Sequence, residues 1–419
     1  MTTPLEPWRK NLYIMWASQF IAMVGMSLVV PFLPFYIRDL GVKSTEDVAR
    51  WSGLVFAGPF FLSFFLTPVW GHLGDRYGRK LMTVRAIFGL AASQLLIGLA
   101  QNVEMLFVFR MIQGAISGFI AAALGLVSAN TPREKAGYAV GLMQTAQSSG
   151  NVIGPLVGGT LADALGFRPI FYIVAVLCTV SGIVIIKFVR ESEPPGNDGH
   201  QQLSVVSNYR YAFSSKPIRI ALAIMLISQT AVFMIQPIFA LYVESLVGAT
   251  ELLATMAGGI FSVVGIFVVI SAPWWGSRND VKSYKKNLSI AILGAGVSYA
   301  AQGLVTSAYQ LIFFRATLGF CLGGMLPTLY SYISKNTSLE RRGGIMGIAS
   351  SGNILANMIG PLAGGFIAAN VGLRQNFFIT GGILMLTVFL VRGFFVDMKQ
   401  NQPHSSSEDV GQPVVSLEE

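Results

Sequence analysis

Gly71-His72-Leu73-Gly74-Asp75-Arg76-Tyr77-Gly78-Arg79-Lys80 is a glycine-punctuated, charged stretch set between two long apolar runs. A reduced copy, Gly276-Ser277-Arg278-Asn279-Asp280 with Lys285 and Lys286 after it, starts 205 positions later. Moving outward from this pair, residues 11–37, 51–74, 136–162 and 252–277 contain no Asp, Glu, Lys or Arg. A helix needs about 20 apolar residues to cross a bilayer, so each run reads as a membrane span. Hydrophobic residues make up 53% of the chain and charged residues 12%, about half the charge of a soluble domain.

Twelve spans follow, at about 11–37, 51–72, 82–101, 104–128, 136–162, 168–187, 218–243, 252–275, 287–306, 309–333, 343–369 and 376–396. An even number puts both termini on one side. Loops on that side then collect Arg76, Arg79, Lys80, Arg133, Lys135, Arg278, Lys285, Lys286, Arg341 and Arg342, among others. The opposite loops keep Arg38, Lys43, Arg50, Arg168 and Arg374. Positive loops stay in the cytoplasm, so both termini are expected there. The net charge of +9 is thereby an orientation signal, and its scatter among loops argues against a nucleic-acid partner. Cys178 and Cys321 sit in apolar runs and read as small buried hydrophobes.

The spacing between the two charged stretches is general. Pro31 and Tyr36 match Pro237 and Tyr242, Trp70 matches Trp275, Arg110 and Gly114 match Arg315 and Gly319, and Gly154-Pro155 matches Gly360-Pro361. Every offset is 205 or 206 residues. The expected organisation is an all-α membrane protein of two pseudo-symmetric six-helix halves, 1–190 and 217–397. A polar linker, 191–216, joins them, and a polar, Ser-rich tail, 398–419, is expected to be disordered and cytoplasmic.

Enzyme signatures are missing: there is no H-E-x-x-H and no phosphate-binding G-x-x-x-x-G-K-[ST]. Transport not driven by ATP within this chain is the expectation, with no cofactor and an ion or substrate gradient as the energy source. Gly71, Asp75, Arg76, Gly78 and Arg79, with Asp280 in the copy, are candidates for an ion-paired latch that breaks when the halves rock. The plainer alternative is an ordinary positive-inside loop. Gly150, Gly154 and Gly158 lie four apart in the fifth span, beside Pro155 and Gly159. Small residues at that spacing let helices approach closely, and a proline inside a helix favours a bend. The expectation is a pliant helix pair where the halves meet; plain helix packing is the alternative.

Arg110 lies inside the fourth span, where an unpaired guanidinium costs at least about 2.5 kcal/mol. Gln113 shares its face one turn on. No Asp or Glu falls at mid-membrane. Asp39 and Glu244, at the ends of the matching first and seventh spans, are the proton candidates. Polar and adaptable residues inside spans are the cavity candidates: Gln144, Gln147 and Asn151; Gln229, Phe233, Gln236 and Phe239; Asn353 and Asn357; Met23 and Met26. Interhelical hydrogen bonding is the alternative for each polar one.

Gly71-x-Leu73-Gly74-Asp75-Arg76-x-Gly78-Arg79-Lys80 resembles motif A of the major facilitator superfamily. Arg110-Met111-Ile112-Gln113-Gly114 resembles its fourth-helix motif, and the stretch Gly150–Gly159 resembles the fifth-helix motif associated with antiporters. The resemblance spans about residues 8–397 and is nearest to the drug:proton antiporter-1 family. It implies a monomeric, multi-pass protein of the bacterial cytoplasmic (inner) membrane, exporting small amphiphilic compounds such as drugs or secreted metabolites in exchange for protons. It also implies a proton-coupling role for Arg110. The missing central acid leaves neutral, zwitterionic or anionic substrates. An importer or uniporter of a small solute, and a non-transporting receptor on the same fold, stay open as alternatives.

Overall fold

The computed structural model describes residues 6–116, 118–191, 204–281 and 283–395. Among the described residues the fold is helical and makes twelve crossings. The first half comprises α1 (Pro7–Ser27) with α2 (Leu33–Asp39), α3 (Thr45–Tyr77), α4 (Arg79–Gly98), α5 (Val103–Ile116) with α6 (Phe119–Asn130), α7 (Ala136–Leu165) and α8 (Phe167–Phe188). After α9 (Val205–Ser214) the second half repeats the plan. It runs through α10 (Lys216–Met234) with α11 (Phe239–Val247), α12 (Leu253–Val281), α13 (Tyr284–Gln302), α14 (Ala308–Lys335), α15 (Leu339–Asn370) and α16 (Leu373–Phe394).

Three spans expected as single helices are broken. The first stops at Ser27 and restarts at Leu33, with Pro34 in the first turn of α2. The seventh stops at Met234 and passes through a 3-10 turn, Gln236–Ile238. Pro31 and Pro237, the matching prolines, lie at these breaks and cannot donate to the ladder. The fourth span breaks before α6 at Gly118, whose φ of 115° suits glycine. Within the polar linker, α9 packs on α15. There Arg341 Nη1 donates to Ser207 Oγ at 3.0 Å and the guanidinium lies over Tyr211. The tail expected to be disordered, 398–419, lies outside the described residues.

Nine of the crossings are long and apolar enough to span a membrane by length and composition. The first, fifth and ninth are more polar. Serine caps set several helix starts: Ser44, Ser283 and Ser307 accept from Asp47 N, Lys286 N and Gln310 N.

The internal repeat is written in hydrogen bonds. Tyr36 donates to the Ile97 carbonyl and Tyr242 to that of Gln302. Trp70 Nε1 donates to Ala115 O at 2.7 Å, and Trp275 Nε1 to Phe320 O at 2.8 Å. The halves meet along two seams, α3 against α15 and α7 against α12. Each seam crosses glycine on glycine. A Cβ on Gly53 would meet Pro361 O and the Gly365 Cα; one on Gly258 would meet Pro155 O and the Gly159 Cα.

Candidate functional site

The two buried arginines occupy matching places. Arg110, on α5, is 8% exposed; its Nε donates to Val55 O at 3.3 Å and its Nη1 to Gln113 Oε1 at 2.7 Å. Arg315, on α14, is 4% exposed; its Nε faces Ile260 O at 3.5 Å and its Nη2 donates to Phe261 O at 3.3 Å. Residues 55 and 260 are themselves a matching pair. The second halves of the two environments differ. Arg110 keeps a glutamine partner, while Leu318 stands at the place matching Gln113. Arg315 instead lies 4.1 Å from the Phe239 ring and 5.1 Å from that of Phe261, a cation–π arrangement strengthened by burial. Phe239 is therefore a fully buried platform for Arg315 and not the exposed cavity wall that its position implied.

The acids at span ends do different work. Glu244, on α11, faces Arg38, on α2; the single nitrogen Nη1 stands 2.6 and 2.7 Å from the two carboxylate oxygens. Residues 38 and 244 match across the repeat, so the ion pair bridges the halves at equivalent positions. Asp39 is exposed beside it. Asp163, at the end of α7, accepts from Ala254 N at 3.2 Å and Thr255 N at 2.7 Å and so caps α12 of the other half. Arg50 Nη2 donates to Asn370 Oδ1, joining α3 to α15. With Ser262 Oγ donating to Val152 O, hydrogen bonds link the halves from mid-membrane to the end away from the termini. Toward the termini end, Gly137, Gly141, Gly343 and Gly347 of the seam helices α7 and α15 meet open space. The bundle is shut at its far end and splayed at its termini end.

In the hinge, α3 turns into α4 at Gly78, whose φ of 96° is accessible to glycine. The Glu191 carboxylate accepts from Arg79 N at 2.7 Å and Lys80 N at 3.1 Å. Arg79 Nη1 donates to Gly125 O, and Arg76 lies over the ring of Tyr77. These contacts stay within the first half and the first residue of the linker. The side chains of Asp75 and Asp280 lie outside the described residues, and Gly71 meets open space.

The fifth-span glycine stripe corrects the sequence reading. Added Cβ atoms on Gly150, Gly154 and Gly158 would meet Met23 and Ser27 of α1 and Leu28 at its C-cap, within the same half. Spacing by four keeps them on one helical face, and that face turns inward. Gly159, about 100° farther round, is the one against α12. Ser27 Oγ donates to Gly150 O at 2.9 Å and seals the α1–α7 contact. Pro155 sits inside α7, its carbonyl beneath Gly258.

The cavity candidates divide. Gln144 and Asn151 are exposed and Gln147 half-buried, on a face of α7 between its α1 and α12 contacts. Met23 is buried under Gly150 and does not line a cavity; Met26 is partly exposed. Gln229 is buried in α10, Phe233 packs on Gly360, and Gln236 falls in the 3-10 turn, so Gln229 and Gln236 do not share one continuous helix. Asn357 Nδ2 donates to Asn353 O, while Asn353 Oδ1 is buried with no hydrogen-bond partner.

Three features escaped the sequence reading. The Arg85 guanidinium lies 3.5 Å over the Trp70 ring; a lone arginine in an apolar run was its signal. Glu191 closes the hinge, and nothing in its linker position announced that. In the second half Asn287 accepts from the Arg278 guanidinium and donates to Asn279, which in turn donates to Thr328. Among the described residues no three His, Cys, Asp or Glu side chains gather as a metal-holding group.

The family model described as Major Facilitator Superfamily matches residues 15–278 and 224–418. Multidrug resistance protein MdtG of Proteus mirabilis (strain HI4320) is 36% identical over 91% of this chain and 94% of its own length. The MdtG of Rahnella sp. (strain Y9602) is 33% identical over 98% of this chain and all of its own. Among solved structures, a bacterial homolog of the human lysosomal transporter Spinster, inward-facing and occupied, superposes with a TM-score of 0.78. It has 14% identity and covers 93% of this chain and 97% of that one; it speaks to the fold.

Proposed function

This chain belongs to the major facilitator superfamily, and on that premise we propose that it exports small amphiphilic compounds from a bacterial cytoplasm by proton antiport. As a member of this family it is a multi-pass membrane transporter and not an enzyme. Its MdtG relatives carry multidrug resistance in their names, which supports the direction of transport. The Lys/Arg asymmetry of the loops supports cytoplasmic termini, and with that orientation the bundle is inward-facing: closed outside, open inside.

The observation that carries the substrate reading is the charge of the bundle interior. Arg110 and Arg315 are buried at mid-membrane, and Asp39, Asp163 and Glu244 sit at the outer end. Such an interior favours neutral, zwitterionic or anionic amphiphiles over strong cations. Gln144, Gln147, Asn151 and Asn353 supply hydrogen bonds for loose recognition.

Coupling follows from the outer gate. When the outer end opens, Glu244 loses Arg38 and takes a proton from outside. Closing returns the carboxylate to Arg38, and the proton passes into the cavity that opens inward. Arg110, held by Gln113, keeps a fixed positive charge at the cavity's centre and discourages return. Motif-A residues Asp75, Arg76 and Arg79 would latch the inner end in the outward-facing state. The lack of a mid-membrane acid favours a uniporter as the second reading. Everted vesicles with the purified chain and a panel of neutral, anionic and cationic fluorescent amphiphiles decide between them. Uptake driven by an acid lumen and collapsed by a protonophore is expected; flux that equilibrates regardless of pH would establish the uniporter.

A further inference from the structure

The two halves differ at one matched place on the bilayer-facing surface. Near the far end, between α11, α12 and α14, lies a cavity of about 550 Å³ lined by Leu246, Met256, Gly259, Ile260, Val263 and Ile312. The helices α12 and α14 press together at Gly319, where a Cβ would meet Val264 and Phe267, and part toward this end. In the first half the corresponding groove between α3 and α5 is filled. Trp51 stands where the second half has Met256, Leu54 where it has Gly259, and Phe107 where it has Ile312. Trp51 and Phe107 pack edge to face, ring centroids 6.4 Å apart. The second half has smaller side chains at these three positions and a larger one at Val263, which stands where the first half has Gly58.

The body of the cavity is apolar, and a groove of that kind is filled by hydrocarbon in preference to water. The surroundings name it. Phe313 and Ile266, on the flanking helices, are exposed apolar residues of the kind that face hydrocarbon. Tyr309, 85% exposed at the mouth, is an aromatic of the type found at the membrane–water interface. Thr306 and Ser307 place hydroxyls at the same rim. We infer that this cavity binds one acyl chain of a bilayer phospholipid, with the headgroup end at the Tyr309 rim. In the first half the Trp51 and Phe107 rings occupy the matched positions.

The test uses the full chain in proteoliposomes containing a trace of phosphatidylcholine with a diazirine in its acyl chain. After irradiation, adducts are mapped by peptide mass spectrometry. Adducts on residues 246–263 and 306–312 should exceed those on the matched residues 40–58 and 101–107 several-fold. Met256→Trp with Ile312→Phe should bring the two halves level, and Trp51→Met with Phe107→Ile should raise labelling in the first half. Gly259→Leu gives a milder filling variant, since only Leu156 approaches a Cβ there, at 3.9 Å. Equal labelling of the two halves in the unaltered chain would overturn the assignment. So would pocket adducts unchanged by filling, or adducts displaced by a transported amphiphile while general lipid labelling holds.

Discussion

Replacing Glu244 with Gln removes the charge that joins α11 to Arg38 of α2. The pair is partly exposed, with side-chain accessibilities of 31% and 22%, and it uses one guanidinium nitrogen for both oxygens. That geometry places it at the lower end for charged hydrogen bonds, about 2 kcal/mol. Asp163 on the α12 N-terminus and Asn370 with Arg50 remain, so the far end would loosen and not fall open. About 2 kcal/mol is roughly a thirty-fold shift between closed and open. Spin labels at Glu46→Cys and Glu251→Cys, on opposite halves at that end, would report it by pulsed dipolar spectroscopy, with Cys178 and Cys321 replaced by alanine. Arg38→Lys should shift the distances little, because one nitrogen is all the pair uses. Arg38→Glu with Glu244→Arg should restore closure, since the positions match across the repeat. Populations in Glu244→Gln unchanged within a few-fold, or an exchanged pair no better than either single change, would refute the gate.

Arg110→Ala should stop transport with normal membrane insertion, because Gln113 and the Val55 carbonyl lose their donor; an unaltered pH response in vesicle uptake would leave Arg110 as packing only. Asp163→Ala should remove the α12 cap, at about 1–2 kcal/mol, and open the far end further when combined with Glu244→Gln in the same spin-label assay. Gly154→Ala drives a methyl against Ser27 and the α1 backbone, and should lower thermal stability in detergent by about 1–3 kcal/mol. Asp75→Asn should abolish uptake while leaving the inserted amount unchanged; retained uptake would dismiss the latch.

Much of the fold could be read from the sequence because the repeat preserves whole interactions and not only residue types. Tyr36 and Tyr242, Trp70 and Trp275, and Arg110 and Arg315 each find the matching carbonyl in their own half. The breaks were harder to see. An apolar run looks the same whether its helix is continuous or restarts, and only Pro31, Pro237 and Gly118 hinted at the interruptions. Faces were harder still. Lipid and helix neighbours are equally apolar, so Met23 and Phe239 could not be told from cavity wall, and the glycine stripe of α7 could not be assigned to α1 in preference to α12. Glu191 was illegible for a different reason: its role depends on a helix N-terminus 112 positions away in the chain.

The repeat also explains where function must lie. Positions such as Tyr36 with Tyr242 and Trp70 with Trp275, which keep both residue and partner, build scaffold; where Arg110 and Arg315 are repeated, the divergence lies in what surrounds them. Two equivalent residues that face one another near the pseudo-symmetry axis cannot carry the same charge without repelling, so a gate there requires the halves to diverge. Arg38 and Glu244 are that divergence. Gln113 against Leu318 makes the environments of the buried arginines unequal. Met82 against Asn287 replaces an apolar contact behind the motif-A hinge with a hydrogen-bonded network that includes the Arg278 guanidinium. Trp51 against Met256 leaves a groove in the second half where the first has packed rings. Swapping such pairs between halves should therefore disturb transport more than deleting a conserved twin disturbs folding, and the Arg38–Glu244 exchange is the case in which the swap restores the contact it moves.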